Sequence, residues 1–327
     1  GIDSVINEIE EVLDESENSK QLLQIFKECY SAKNLSQASR LLVNELFGKY
    51  GVVILDANDK KLKKKLIPII KEDVVNQNLH SIVSERTKEL SKEFKSQAFV
   101  RKINFFQISE GKRERITKKV SENEIENCPE MFSPNVLMRP LYQESILPNI
   151  AYIGGGAEIA YWMQLKTVFK YLNIPFPVLV LRNSVMWIEE KDFSKWIEFG
   201  FEINDIFKTT NELHKKFILD KSDVNLDLEK NQLKKMYINL ENKTLDISLK
   251  QSIKYESIKH VKSLEKLEKK LIKSEKDNHE TSINQINKIK NKLFPNNVLQ
   301  ERFGNIISFY LNHGNKFIET LMEEINP

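Results

Sequence analysis

Glu158 and Arg182 are the two side chains of this sequence best placed to do chemistry. Glu158 follows three consecutive glycines, Gly154, Gly155 and Gly156, and Ala157. Arg182 and Asn183 follow the apolar run Val178 to Leu181. Main-chain N–H groups bared by glycines at a helix start favour an anion. A guanidinium offers fixed donors to a carboxylate or phosphate. A carboxylate in the first helical turn is stabilised by the helix dipole, and it would repel a bare phosphate beside it. A ligand carrying both an acidic and an amino group suits such a site. The glycines do not make a Walker A loop, since no Gly-Lys-Ser/Thr follows. Ile159 stands where a dinucleotide fingerprint needs its third glycine. The plainer alternatives are a tight turn with Glu158 as an ordinary helix-start acid, and Arg182 in a structural salt bridge.

The elements around these residues form a pattern. Ile150 to Ile153 is a short apolar run that reads as a strand. A helix begins near Ala157, and Tyr161/Trp162, Leu165, Val168/Phe169 and Leu172 recur every three or four residues on one face. Pro175 and Pro177 stop it, and Val178 to Leu181 reads as a second buried strand. Strand, glycine loop, helix and strand make a βαβ unit, the building block of a parallel sheet. Open sheets of this kind bind ligands at the carboxyl ends of their strands. Val52 to Leu55 reads as another buried strand, which would put Asp56 at such an end and Asp59 at a helix N-cap. Arg139, Tyr142, Gln143 and Asn149 precede the glycines by few residues and could line the same cleft. Ile103 to Ile108 and Arg113 to Thr117 read as a hairpin around Glu110-Gly111. Ser121 to Pro134 reads as loop, Val136 to Met138 as a short strand, and Val185 to Ile188 as a further edge strand.

The bulk numbers bound the rest. The 327 residues are 40% hydrophobic and 30% charged, enough for two domains or one domain with a long extension. A net charge of +3 is nearly balanced and gives no support for nucleic-acid binding. Cys29 and Cys128 lie far apart, so a reducing cytoplasm is expected rather than a disulfide scaffold. No apolar run approaches the ~20 residues of a membrane span, and no signal peptide is visible. None of the five histidines has a metal partner at useful spacing, so no metal is assigned. From about Lys191, Lys, Glu and Asn dominate. Val261, Leu264, Leu267 and Leu271 share a helical spacing, as do Ile283, Ile286, Ile289 and Leu293. Two antiparallel helices turning near Asp277 to Thr281, with a seam that seeks a partner, account for both sets. The expected organisation is a helical segment over 1–47, an α/β Rossmann-like core over 48–200, a coiled-coil arm over 201–294 and C-terminal helices returning to the core over 295–327.

Five blocks resemble one known family. They are L-F-G-K-Y-G-V-V-I-L-D-A-N-D (Leu46 to Asp59), R-P-L-Y-Q-E-S-I-L-P (Arg139 to Pro148), Y-I-G-G-G-A-E-I-A-Y-W (Tyr152 to Trp162), P-V-L-V-L-R-N-S (Pro177 to Ser184) and K-L-F-P-N-N-V-L-Q-E-R (Lys292 to Arg302). In sequence and in order, across nearly the whole chain, they are similar to the cysteine-adding ligase family of bacillithiol biosynthesis. The resemblance implies a nucleotidyltransferase-like Rossmann core, a coiled-coil arm and a homodimer. It implies ligation of cysteine, through its carboxyl group, to the amine of glucosaminyl malate, with ATP or another nucleotide activating the carboxyl. On that basis the N–H groups of Gly155 to Ala157 and the Arg182 guanidinium would stabilise developing negative charge. Glu158 would hold an ammonium, and Tyr142, Gln143, Asn149, Tyr161 and Trp162 would shape the pocket. The family's loop reads G-G-P-G-E where this chain has Gly154-Gly155-Gly156-Ala157-Glu158. Family members are also longer at the N-terminus, so the chain reads as a C-terminal piece. Two other classes compete: a metabolite-binding and dimerisation module without catalysis, and a nucleotidyltransferase acting on other substrates.

Overall fold

The computed structural model describes residues 2–325. The chain divides into two compact units. One comprises the residues up to 183 together with those from 309 onward, and the other residues 184–308. The division falls between Asn183 and Ser184, earlier than the change in composition near Lys191.

In the first unit, helices Ile2–Val12, Glu17–Tyr30 and Leu35–Phe47 open the chain. Ser16 and Asn34 start the second and third by accepting the Ser19 and Gln37 N–H groups. Leu22, Ile25 and Phe26 are buried, whereas the third helix buries only Ala38 and leaves Leu41 and Val43 exposed. The late helix Asn315–Glu324 is tied to this region by the Lys49–Glu319 ion pair at 2.8 Å.

Val52 to Leu55 is not a strand. It has no regular secondary structure and finds no ladder among the described residues, and Val53 stands 76% exposed. A β-branched run becomes a strand only where a neighbour accepts its backbone.

The expected hairpin is present as β1 (Phe105–Ser109) and β2 (Lys112–Arg115), paired antiparallel. Glu110 and Gly111 both take positive φ (50° and 74°), the twist that a two-residue hairpin turn requires. Ser121 to Pro134 is not loop. It holds the helix Glu122–Asn127 and β3 (Phe132–Pro134), which pairs with β1. Val136 to Met138 is a turn rather than a strand, and it leads into the helix Arg139–Ile146 with Pro140 in its first turn. Leu66, Ile70, Leu79, Val83, Phe105, Phe132, Leu141, Trp162 and Phe169 pack into one core, each at most 1% exposed. Each such side chain contributes roughly 1.5–3 kcal/mol on burial.

The βαβ unit forms as expected. β4 (Ala151–Gly154) and β5 (Val178–Leu181) pair in parallel, with Tyr152 opposite Leu179 and Gly154 opposite Leu181. The connecting helix is broken into Gly156–Trp162 and Lys166–Tyr171 by a tighter 3₁₀ turn at Met163–Leu165. The strands are less buried than their sequence suggests: Ile153 is 59%, Val178 64% and Leu181 63% exposed. The sheet has only two strands, so each has one unladdered edge among the described residues.

The second unit is helical. Trp196, Phe199, Phe201, Phe217, Ile286 and Leu293 anchor its core. Thr209 and Glu212 exchange side-chain and main-chain hydrogen bonds to start the helix Thr210–Lys221. The 32-residue helix Ile247–Asn278 turns at His279 into Glu280–Leu293, as the spacing predicts. It also runs antiparallel to Asp227–Glu241, with ion pairs Lys230–Glu268 at 2.9 Å and Lys254–Glu241 at 3.1 Å. Ile283, Ile286, Ile289 and Leu293 are buried as expected, but Leu267 and Leu271 are exposed and Glu268 and Ile272 take the inner positions. Lys230 and the Leu226 N–H satisfy the Glu268 carboxylate there. Val185 to Ile188 forms no strand. Its backbone is held by side chains instead, with Gln300 donating to Trp187 O and accepting from Trp187 N. Among the described residues no helix is long and apolar enough to cross a membrane.

Candidate functional site

The glycine turn lies where the βαβ unit puts it, at the carboxyl end of β4. Gly154 ends the strand, Gly155 caps the helix and Gly156 begins it. None of the three adopts positive φ, so conformational freedom is not what they supply. Gly154 supplies room. A Cβ there would lie 2.7 Å from the Tyr152 ring and 3.2 Å from Ile159 Cδ1. Arg182 meets this turn through its backbone, with its N–H donating to Gly154 O at 2.9 Å. Glu158 folds back on its own helix start, where one carboxylate oxygen accepts the Gly155 N–H at 3.0 Å. That oxygen does the ordinary work of a helix cap. It removes Gly155 from the donors available to a ligand and leaves the first-turn N–H groups of Gly156 and Ala157.

A second group converges on Arg139, at the start of its helix. Its Nη1 donates to Gln143 Oε1 at 2.9 Å, and its Nη2 donates to the hydroxyls of Tyr152 at 3.2 Å and Tyr161 at 3.0 Å. Gln143 is one turn along the same helix, Tyr152 is on β4, and Tyr161 is on the helix after the glycines. Burial works against the Arg139 charge, but the two tyrosine oxygens outweigh it and hold the guanidinium pKa above its usual value. Burial pushes the Tyr152 hydroxyl up, against the pull of Arg139. Trp162 is fully buried and stacks on Tyr152, so it belongs to the core.

The remaining predicted residues have local partners. Asn149 is clamped by buried Glu144, whose carboxylate accepts both the Asn149 N–H and its Nδ2 at 2.8 Å. This fixes the chain just ahead of β4. Tyr142 points to the Asp56 turn, donating to Ala57 O at 2.9 Å. Burial and the carboxylates of Asp59 and Asp56 push its pKa up to about 12. Asp56 itself does not end a strand. It accepts from Ser36 Oγ at 2.6 Å and from the Asn58 N–H at 2.8 Å. Beneath Tyr142 lies Lys63, buried, with its ammonium on Phe132 O at 2.6 Å and its pKa lowered by burial and by Arg113. Asn183 is exposed directly after Arg182. Among the described residues no group of three His, Cys, Asp or Glu could hold a metal ion.

Two family models cover the chain. Residues 1–183 match the N-terminal Rossmann-like domain of the bacillithiol biosynthesis protein BshC, and residues 185–327 match its C-terminal coiled-coil domain. The chain belongs to the BshC family.

Similarity to individual BshC proteins extends over the whole length. A Flavobacterium johnsoniae protein named cysteine ligase BshC is 38% identical over 96% of this chain and 63% of its own length. A Christiangramia forsetii protein of the same name is 37% identical over 100% and 65%. One from Bacillus cytotoxicus is 25% identical over 98% and 64%. The chain therefore spans a little under two thirds of these relatives. Tyr152 is the site residue that sequence reasoning passes over. In a four-residue strand it reads as packing. The signal was the two-residue period, which puts Tyr152 and Gly154 on one face.

Proposed function

We propose that this chain forms the glycine-turn and helical-arm portion of a carbon–nitrogen ligase of bacillithiol biosynthesis, joining cysteine through its carboxyl group to the amine of glucosaminyl malate. The observation that carries this reading is the meeting of the Gly154–Glu158 turn with Arg182 at the carboxyl ends of two parallel strands. It occurs in a family whose relatives carry the name cysteine ligase.

A carboxylate is a poor acceptor for an amine, so the carboxyl group must first be activated. A nucleotide, ATP or another, supplies that activation as an acyl phosphate or acyl adenylate. The amine nitrogen then attacks the carbonyl carbon, the bond to the phosphate oxygen breaks, and the nitrogen loses its proton. Charge develops on the carbonyl oxygen, where preorganised donors have their largest effect. The donors in this reading are the Gly156 and Ala157 N–H groups and the Arg182 guanidinium. Glu158 caps the helix with one oxygen and offers the other to an ammonium.

The test is ligation itself. The chain, alone and within the whole enzyme, is supplied with cysteine, glucosaminyl malate and ATP, and the thiol product is measured. Arg182→Ala is expected to reduce turnover by about a hundredfold, the usual scale for one oxyanion donor. Unchanged turnover in that variant would remove Arg182 from the chemistry. A dimerisation module is the second reading, favoured by the exposure of Met236, Leu240, Ile258 and Leu267 on the paired arm helices. A stable dimer that binds none of the three substrates would support it instead.

A further inference from the structure

Arg139 is a half-buried cation whose hydrogen-bond partners among the described residues are all uncharged. Its donors reach Gln143 Oε1 and two tyrosine hydroxyls, and no carboxylate lies within ion-pair distance among the described residues. Holding a charge away from water without a counter-ion is unfavourable, which is why buried guanidinium groups are nearly always paired. Helix packing alone does not call for an arginine here. The hydroxyls sharpen the point. Tyr152 and Tyr161 each accept a hydrogen bond from Arg139 Nη2, and neither has an acceptor for its own proton among the described residues. Tyr161 is only 7% exposed, so water is a poor substitute for that acceptor. One guanidinium and two phenolic O–H groups thus converge with no negative charge among them.

We infer that Arg139, Tyr152 and Tyr161 form a binding site for a carboxylate group of a small-molecule ligand. The guanidinium supplies the charge. The two hydroxyls, oriented by accepting from the same nitrogen, donate their protons to the ligand's oxygens. Charge-assisted bonds of this kind are about twice as strong as neutral ones. A monoanionic carboxylate suits the site better than phosphate because the Glu158 carboxylate, folded onto the Gly155 N–H at the end of β4, adds negative charge nearby. This deepens the ligase reading and rests on it only for which substrate presents the carboxylate.

Three residues form the structural support. Gly154 leaves the space that the Tyr152 ring occupies. Gln143 holds the other arm of the guanidinium. Trp162 stacks on Tyr152 with ring centroids 4.1 Å apart, so its indole reports on the position of that ring.

The test is an NMR titration of the full chain with L-malate, following the indole N–H resonances of its three tryptophans. Malate is expected to shift the Trp162 resonance saturably. Tyr152→Phe and Tyr161→Phe, which keep both rings, are each expected to weaken binding about tenfold or more, as loss of a hydrogen bond to a charged group should. Dimethyl malate should not bind. Absence of a Trp162 shift at 100-fold excess over millimolar affinity overturns the proposal, as do Phe variants that bind as well as the parent. Tighter binding of inorganic phosphate than of malate overturns the carboxylate assignment. The titration contains neither nucleotide nor cysteine, so its failure leaves the ligation reading standing. Loss of ligation with malate binding intact does the reverse.

Discussion

Tyr152 lies face to face with Trp162, the two rings 21° from parallel. The contact joins β4 to the helix that follows the glycine turn, and Phe169 and Phe176 close around the indole. Trp162→Ala is expected to destabilise the first unit by about 3–5 kcal/mol, the usual range for deleting a buried indole. A double-mutant cycle with Trp162→Leu and Tyr152→Leu should give a coupling of about 0.5–1.5 kcal/mol by urea unfolding.

The glycines of the turn should not be interchangeable. Gly154→Ala places a methyl group against the Tyr152 ring and should cost about 1–3 kcal/mol. It should also change the Trp162 fluorescence by displacing Tyr152. Gly156→Ala meets only Leu181 Cδ1 at 4.0 Å, at a helical position. It should be neutral or stabilise by up to about 1 kcal/mol. Equal effects from the two substitutions would contradict this account of the turn.

Asp73 sits fully buried in a π-helical turn, accepting the Asn104 N–H at 2.5 Å and Asn104 Nδ2 at 2.9 Å. Burial raises its pKa from 3.8 to about 6, with the Asn104 donors opposing. The folded state therefore holds this proton more tightly than the unfolded chain. Stability should fall as pH rises from about 4 to about 6, by at most on the order of 3 kcal/mol, and then level off. Asp73→Asn should flatten that slope in urea titrations at pH 4, 5, 6 and 7.

Asp205 in the second unit has the opposite sign. Burial alone would raise its pKa, but Lys208 at 2.7 Å, Lys216 at 2.6 Å and the Glu202 N–H hold it well below the usual carboxylate range. Its contribution is fully present above the unfolded value near 4 and is lost progressively as pH falls from there through the depressed folded value. Asp205→Asn should cost about 1–3 kcal/mol at pH 7 and only somewhat less at pH 3, measured by thermal or urea unfolding.

Local pattern carried the βαβ unit and the hairpin. The Trp162 stripe has a helical period, Val178 to Leu181 is a short apolar run, and Glu110-Gly111 is a two-residue turn. Each is encoded within a few residues. Val52 to Leu55 is as wholly aliphatic as β5, yet among the described residues it stays outside any sheet because strand formation depends on a neighbour that the run itself cannot specify. The polar Ser121 to Pro134 stretch hides a helix, whose start is set by Ser121 accepting the Glu124 N–H. The site was legible as a set of positions but not as a network. Arg139, Gln143 and Tyr161 stood out singly, and their meeting with Tyr152 around the Arg139 guanidinium arises only where two helices and β4 come together. Glu158 was visible as either ligand or cap, and its geometry adds the cap.

The short parallel sheet has a practical consequence. Ala-Tyr-Ile-Gly in β4 and Val-Leu-Val-Leu in β5 contain no charge and no proline, and each strand keeps one side unpaired among the described residues. Proteins ordinarily guard such borders with lysine, proline or a bulge. These eight residues carry none of those devices. A purified sample should therefore scatter light increasingly as it is concentrated, with growth seeded at these strands. A lysine in place of Ile153 or Val178 should suppress it.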